Sequence, residues 1–116
     1  MNMEFSTEAG YTLVRLQGLL DESCKAAFDE HLHPLIDAGK PRFLIDLSGS
    51  DRVTSAGIGH LVTLVSRANA KGGSVVLVNL TPFVKSVLHT TKLTKFFDIE
   101  DSIETGVRRL LAEDES

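Results

Sequence analysis

The segment formed by residues 43–59 constrains the fold more than any other part of the chain. Residues 43–47 are a short, almost entirely apolar run bounded by turn residues, which is typical of a buried strand. A short polar loop is predicted next, and from Ile58 the apolar residues recur at helical spacing. Thr54 and Ser55 are therefore expected at a helix N-terminus, where backbone N–H groups lack partners and the dipole favours negative charge.

This hydroxyl pair permits two interpretations. A hydroxyl at the start of a helix can cap it, a role worth about 1 kcal/mol. It can also carry a phosphate, because a helix N-terminus is suited to anions. For a serine known only to start a helix, capping is the more common role. The choice between the two roles for Ser55 decides the function.

The rest of the chain alternates predicted strands and helices. Asp21 is the predicted N-cap of a first helix with apolar residues at helical spacing. Pro34 falls inside that helix and is expected to kink or restart it, because proline lacks a donor and clashes with the preceding turn. The other predicted elements are strands over residues 3–7, 11–17, 75–78 and 97–99, the second of them ending at Gly18, and helices from Thr81-Pro82 and over residues 102–111.

The element order β-β-α-β-α-β-α-β-α predicts an α/β fold. After the first hairpin the strands should form a mixed, largely parallel central β-sheet with helices packed against it. A length of 116 residues suits a single domain over residues 1–116. Residues 112–116 are predicted to be an acidic, solvated tail.

Composition excludes several classes of protein. No apolar run approaches the roughly 20 residues that cross a bilayer, so membrane insertion is not expected, and no signal peptide is visible. The single cysteine, Cys24, excludes an internal disulfide, fits a reducing compartment and is predicted to lie in the core. A net charge of −4 argues against nucleic acid as a partner. We therefore expect a cytoplasmic protein.

The four histidines do not indicate a metal site. His31 and His33 are two residues apart and should point to different sides of one helix. His60 and His89 have no cysteine or carboxylate at ligand spacing. We predict that no metal is bound and that the histidines are exposed.

A nucleotide site is also poorly supported. Gly57 and Gly59 follow a strand and open a helix, as in a dinucleotide fingerprint, but Val62 stands at the third glycine position and the expected carboxylate about twenty residues later is missing. The sequence therefore predicts no cofactor and no enzyme. A small α/β nucleotide-binding protein or enzyme is the alternative of a different class.

Four motifs resemble those of STAS domains, specifically of bacterial anti-sigma factor antagonists. The family has Gly-x-Leu-Asp before its first helix, Asp-Ser-Ser/Thr-Gly-Leu-Gly at the strand–helix junction, then Gly-Gly, an apolar strand and Ser-Pro-x-Val-Lys. In this chain they stand as Gly18-Leu19-Leu20-Asp21, Thr54-Ser55-Ala56-Gly57-Ile58-Gly59, Gly72-Gly73 before residues 75–78, and Thr81-Pro82-Phe83-Val84-Lys85.

The resemblance implies a phosphorylation switch. Ser55 aligns with the serine that accepts a phosphate in this family. The unphosphorylated domain would bind an anti-sigma factor that is also a serine kinase, and so release a sigma factor; a PP2C-type phosphatase would reset it. Asp21, Asp51, Thr54 and Gly57 are the residues expected near the phosphate.

The chain departs from the family pattern at three positions. Thr54 replaces the acidic residue and becomes a rival acceptor, Ala56 replaces the second hydroxyl, and Arg52 replaces an apolar or aromatic residue. Other STAS domains serve as non-switching scaffolds, ligand sensors or parts of transporters. These roles are the alternatives within the same fold.

One side of the helix that begins at Ser55 is a possible partner surface. Its apolar positions are predicted to face the core, and His60, Thr63 and Arg67 should lie on the opposite, outward side. Such a stripe is usually just a solvated face. Because it adjoins the predicted acceptor, we interpret it as the partner contact. The predicted core positions are Ile58, Leu61, Val62, Val65 and Ala68.

Overall fold

The first two strands form the predicted hairpin, and the sheet then continues with parallel strands. A computed structural model describes residues 1–112 and contains a five-stranded sheet with the order β1-β2-β3-β4-β5. Strand β1 is antiparallel to β2, and the three following pairs are parallel. The strands are β1 (Asn2–Glu8), β2 (Tyr11–Leu20), β3 (Arg42–Val53), β4 (Ser74–Val78) and β5 (Asp98–Glu100).

The helices follow the strands in the predicted order. The first helical unit comprises α1 (Cys24–Ala27), a π-helical turn (Phe28–Leu32) and α2 (His33–Asp37). Pro34 lies in the first turn of α2, so the helix restarts there as predicted. The later helices are α3 (Ser55–Ala70), α4 (Pro82–Thr90) and α5 (Ile103–Ala112). No helix within residues 1–112 is long and apolar enough to span a membrane.

Alternate residues of the central strands point to two different apolar cores. The larger core joins one face of the sheet to the first helical unit, α3 and α4, and includes the buried Cys24, as predicted. The smaller core joins Leu44, Val76 and Val78 to Leu110 of α5 on the other face. Every residue of β4 is buried, as expected for a strand covered on both sides.

Strands β2 and β3 are longer than the sequence predicted. Gly18 does not end β2 but lies within it at a φ of +94°, which glycine tolerates. The predicted polar loop after residue 47 is wrong, because β3 continues to Val53 and pairs with β2 through two register shifts. The hydroxyl of Ser50, fully buried, donates to the carbonyl of Leu16 at 3.1 Å, so this polar residue is satisfied inside the sheet.

The predicted N-cap Asp21 is also wrong. Ser23 is the N-cap residue of α1, and the carboxylate of Asp21 instead accepts hydrogen bonds from the hydroxyl of Ser23 at 2.6 Å and from its N–H at 2.9 Å. Those hydrogen bonds lower the pKa of Asp21. Asp21 therefore holds the turn before α1 rather than the helix end itself.

The histidines do diverge, but they are not all exposed. His31 stacks on the ring of Phe5 with centroids 5.2 Å apart, whereas His33 is only 8% exposed. The prediction of exposure is wrong for His33, because its side chain lines the groove between the first helical unit and residues His60 and Thr63 of α3. No group of three possible metal ligands occurs among residues 1–112. Of the predicted acidic tail, Ala112 belongs to α5 and residues 113–116 lie outside the described residues.

Candidate functional site: the N-terminus of helix α3

The first turn of α3 is fastened to the end of β2. The N–H of Thr54 donates to the carbonyl of Leu20 at 2.8 Å, and its hydroxyl lies 3.3 Å from the same oxygen. Gly57 packs so closely against that carbonyl that a Cβ at this position would lie 2.6 Å from the carbonyl carbon of Leu20. The glycine is required here for a close backbone approach, and the helix start is fixed in place.

Thr54 and Ser55 have different roles in this turn. Thr54 is the N-cap residue, and its side-chain oxygen accepts the N–H of Gly57 at 3.2 Å. Ser55 is the first helical residue and is exposed, and its hydroxyl makes no hydrogen bond within the described part of the chain. Thr54 therefore has the capping role, and the hydroxyl of Ser55 remains exposed and without a hydrogen bond in the described residues.

The backbone around Ser55 suits a negative group. The N–H groups of Ser55 and Ala56 have no partner among residues 1–112, as is usual for the first turn of a helix. The helix dipole adds partial positive charge at the same place. A phosphate on Ser55 would therefore meet unpaired donors rather than a closed surface.

The two acidic residues predicted near this turn belong to two different segments that precede it in the chain. The backbone N of Asp21 is 3.1 Å from the position of a Cβ on Gly57, so the turn between β2 and α1 abuts the start of α3. Asp51 is exposed on the last part of β3, four residues before Ser55. The structure thus brings Asp21 beside the helix start and places Asp51 on the strand that leads into it.

The stripe of His60, Thr63 and Arg67 borders the first helical unit, with Thr63 exposed and His60 and Arg67 partly buried. His60 and Thr63 line a groove of about 290 Å³ together with residues that include Asp29 and His33. The guanidinium of Arg67 donates to the carboxylate of Asp37 at 3.2 Å. Part of this stripe is therefore already engaged within the chain, and it is less open than the sequence predicted.

Three exposed side chains at the same end of the sheet were not predicted as contacts. Leu19 of β2 and Phe83 of α4 are 43% and 40% exposed, and Arg52 of β3 is exposed beside them. The sequence signal was present, since Arg52 was visible as a departure from the family pattern. Its neighbours could not be known until the fold joined three separate elements.

The comparisons with known proteins agree with this geometry. A family model described as the STAS domain matches residues 2–106. The chain belongs to the STAS domain family. BtrV of Bordetella bronchiseptica, whose name describes it as a candidate anti-sigma factor antagonist, is 25% identical over 97 residues, which is 84% of each chain. This STAS domain therefore has a sequence relative named for that role.

Solved structures show the same fold. RsbS of Moorella thermoacetica, in a serine-to-glutamate variant, is similar with a TM-score of 0.83 at 20% identity, over the full length of both chains. The anti-sigma factor antagonist SpoIIAA is similar in its unphosphorylated form, with a TM-score of 0.74 at 17% identity, covering 96% of this chain and 98% of that one. A phosphorylated form of SpoIIAA from Bacillus gives a TM-score of 0.73, also at 17% identity, covering 93% of this chain and 98% of that one. The mixed α/β architecture predicted from the sequence is thus confirmed as the STAS fold.

Proposed function

We propose that this STAS domain is an anti-sigma factor antagonist switched by phosphorylation of Ser55. The observation that carries the proposal is the division of roles at α3. Thr54 caps the helix with its hydroxyl, while the adjacent hydroxyl of Ser55 is exposed and unbonded within the described chain. A relative named for this role supports the same reading.

In this proposal the domain is a binding module and a substrate, not an enzyme. Unphosphorylated, it binds an anti-sigma factor that is a serine kinase, and a sigma factor is released. The kinase uses ATP to phosphorylate Ser55, and a PP2C-type phosphatase removes the phosphate. These steps place the protein in the bacterial cytoplasm, and they require no cofactor, nucleic acid or membrane insertion by the domain itself.

Charge accounts for the switch. A phosphate adds between about 1.5 and 2 negative charges at neutral pH, next to a surface that already carries Asp21 and Asp51. The unpaired N–H groups of the first turn allow the fold to accept it. A partner that presents acidic or apolar groups is then repelled, and a loss of about 3 kcal/mol weakens binding more than a hundredfold.

The alternatives make different demands on the same turn. A nucleotide-binding loop needs glycines that leave room for phosphates. The space where a side chain of Gly57 would lie is instead occupied by the carbonyl of Leu20. A non-switching scaffold or transporter-associated STAS domain needs no accessible acceptor. The exposed Ser55 favours the switch over both.

Phosphate mapping tests the acceptor. The protein is incubated with ATP and each anti-sigma-type serine kinase encoded in the same genome, and intact mass and peptide mapping follow. We expect one phosphate, on Ser55, and none on Thr54. Ser55→Ala should remain unlabelled, whereas Thr54→Asn, which removes the rival hydroxyl but keeps a good cap, should be labelled like the wild type. Phosphate on Thr54, or full labelling of Ser55→Ala, would refute the assignment.

A further inference from the structure

An exposed patch formed by Leu19, Arg52 and Phe83 lies at the end of the sheet where α3 begins. Two of its members are large apolar side chains with about two-fifths of their surface exposed. Isolated exposed apolar residues need no explanation, but two of them around an exposed cation are an unusual grouping. We define these three residues as the Arg52 patch.

The fold holds the Arg52 patch together from three elements. Leu19 and Arg52 are register partners on adjacent parallel strands. The start of α4 is tied to β3 by the hydroxyl of Thr81, which donates to the carbonyl of Ser50 at 3.1 Å. This bond brings Phe83 beside β3, where the guanidinium carbon of Arg52 lies 5.7 Å from the centre of its ring. The patch is therefore a fixed surface and not a chance alignment of loops.

The guanidinium of Arg52 lies over the ring of Phe83 and forms no ion pair within the described residues. No carboxylate among residues 1–112 is within ion-pair distance of its guanidinium, in contrast to Arg67, which pairs with Asp37, and Arg109, which pairs with Asp98 and Glu100. Stacking on an aromatic ring leaves the edge of a guanidinium, with its fork of N–H donors, free to bind a carboxylate in two places at once. The surface is thus complementary to an acidic group flanked by apolar ones.

We propose that the Arg52 patch is the specificity-determining contact for a partner segment in which a carboxylate lies between apolar side chains. This inference rests on the proposed function, and the partner is the anti-sigma serine kinase. The carboxylate pairs with Arg52, and the apolar side chains cover Leu19 and Phe83. Arginine and tyrosine or phenylalanine anchors of this kind are typical of the centre of protein interfaces.

The position of Arg52 also connects the patch to the switch. Two residues lie between it and Ser55, so the Cα atoms of Arg52 and Ser55 are at most about 11 Å apart. This is close to the distance over which charges act in physiological salt. A partner carboxylate that Arg52 attracts is therefore repelled when Ser55 carries a phosphate. The same partner carboxylate thus interacts with both residues.

Calorimetric titration with the kinases encoded in the same genome tests this contact. We expect Arg52→Glu to weaken binding at least a hundredfold, and Arg52→Gln to weaken it at least tenfold while reducing its salt dependence. Phe83→Ala should also weaken it at least tenfold. Lys40→Glu makes the same charge change in the turn before β3, at the opposite end of the sheet, and should stay within twofold of the wild type.

Separate readouts distinguish this inference from the proposed function. Phosphorylation of Ser55 and loss of binding by Ser55→Asp test the switch alone. If both occur while Arg52→Gln and Arg52→Glu bind like the wild type, the Arg52 patch is refuted and the switch stands. If no kinase binds or phosphorylates the wild-type protein, both are overturned. Urea unfolding of each variant checks the fold, and Arg52→Gln decides the result should Arg52→Glu fail to fold.

Discussion

At the residue scale, the functional assignment depends on which of two adjacent hydroxyls caps α3. Thr54 has extended backbone angles, and its hydroxyl both contacts the carbonyl of Leu20 and accepts the N–H of Gly57. Ser55 already has helical geometry and its side chain is exposed. The stability of the helix should therefore depend on the first hydroxyl and be nearly indifferent to the second.

Alanine substitution at each position tests this division. Thr54→Ala should lower the free energy of unfolding by about 1 kcal/mol, because the N–H of Gly57 loses its acceptor. Ser55→Ala should change it by no more than about 0.5 kcal/mol, as expected for an exposed residue with no bonded partner. Urea denaturation of both variants gives the comparison. A larger loss for Ser55→Ala would make Ser55 the cap and weaken its assignment as the acceptor.

Two glycines of the same helix provide a second matched pair. Gly57→Ala should destabilise the fold by about 3 kcal/mol or more, because its Cβ would meet the backbone of Leu20, which cannot move aside as a side chain could. Gly59→Ala adds a methyl group where nothing lies within 4 Å and should raise stability by about 0.5–1 kcal/mol. Thermal melting of the two variants should move in opposite directions. Equal shifts would mean that α3 is not held against β2.

At the element scale, strong periodicity was enough to locate most of the helices and strands. The strand of residues 75–78, the helix after Thr81 and the restart at Pro34 were all predicted, since each depends on local composition. The extension of β3 was missed because its polar residues are typical of a loop. It forms a strand only because β2, more than thirty residues earlier, supplies partners such as the carbonyl of Leu16.

A buried histidine, His33, lies between the first helical unit and α3, and its burial should make the stability of the fold depend on pH. Burial lowers the pKa of His33 from its ordinary value of 6.5, and the nearby charge of Arg67 lowers it further, whereas Asp29 and Asp37 act in the opposite direction. Its Nδ1 has no hydrogen-bond partner in the described structure. Protonation of His33 is therefore disfavoured in the folded state.

The sign of the pH effect follows from this lowered pKa. Below about pH 6.5 the unfolded chain binds a proton at His33 before the folded chain does, so stability is complete above that pH and declines as the pH falls. His33→Gln should reduce this decline between pH 7.5 and 5.5 when urea midpoints are compared. His89→Gln, at an exposed position, should keep the wild-type profile. If His33→Gln keeps the wild-type dependence of the urea midpoint on pH, His33 does not contribute to the loss of stability at low pH.

At the scale of the whole molecule, the residues to which we assign the proposed function lie at one end of the sheet. The ends of β2 and β3 and the starts of α3 and α4 meet there, and they bring together Ser55, Asp21 and the Arg52 patch. The sequence located Ser55 because a strand–helix junction is a local pattern. It also predicted His60, Thr63 and Arg67 as the partner contact, which stays a prediction, but it could not show that Arg67 pairs with Asp37, because that pair joins residues thirty positions apart.

The most direct test of the switch is a calorimetric comparison of Ser55→Asp and Ser55→Ala with the anti-sigma kinase that phosphorylates the wild-type protein. At matched salt, Ser55→Ala should bind with wild-type affinity, because the serine hydroxyl makes no contact that holds the fold. Ser55→Asp should bind roughly a hundredfold more weakly, although both variants remain folded, because the added charge faces the partner. Equal affinities for the two variants would contradict the account, since Ser55 would then control no interaction.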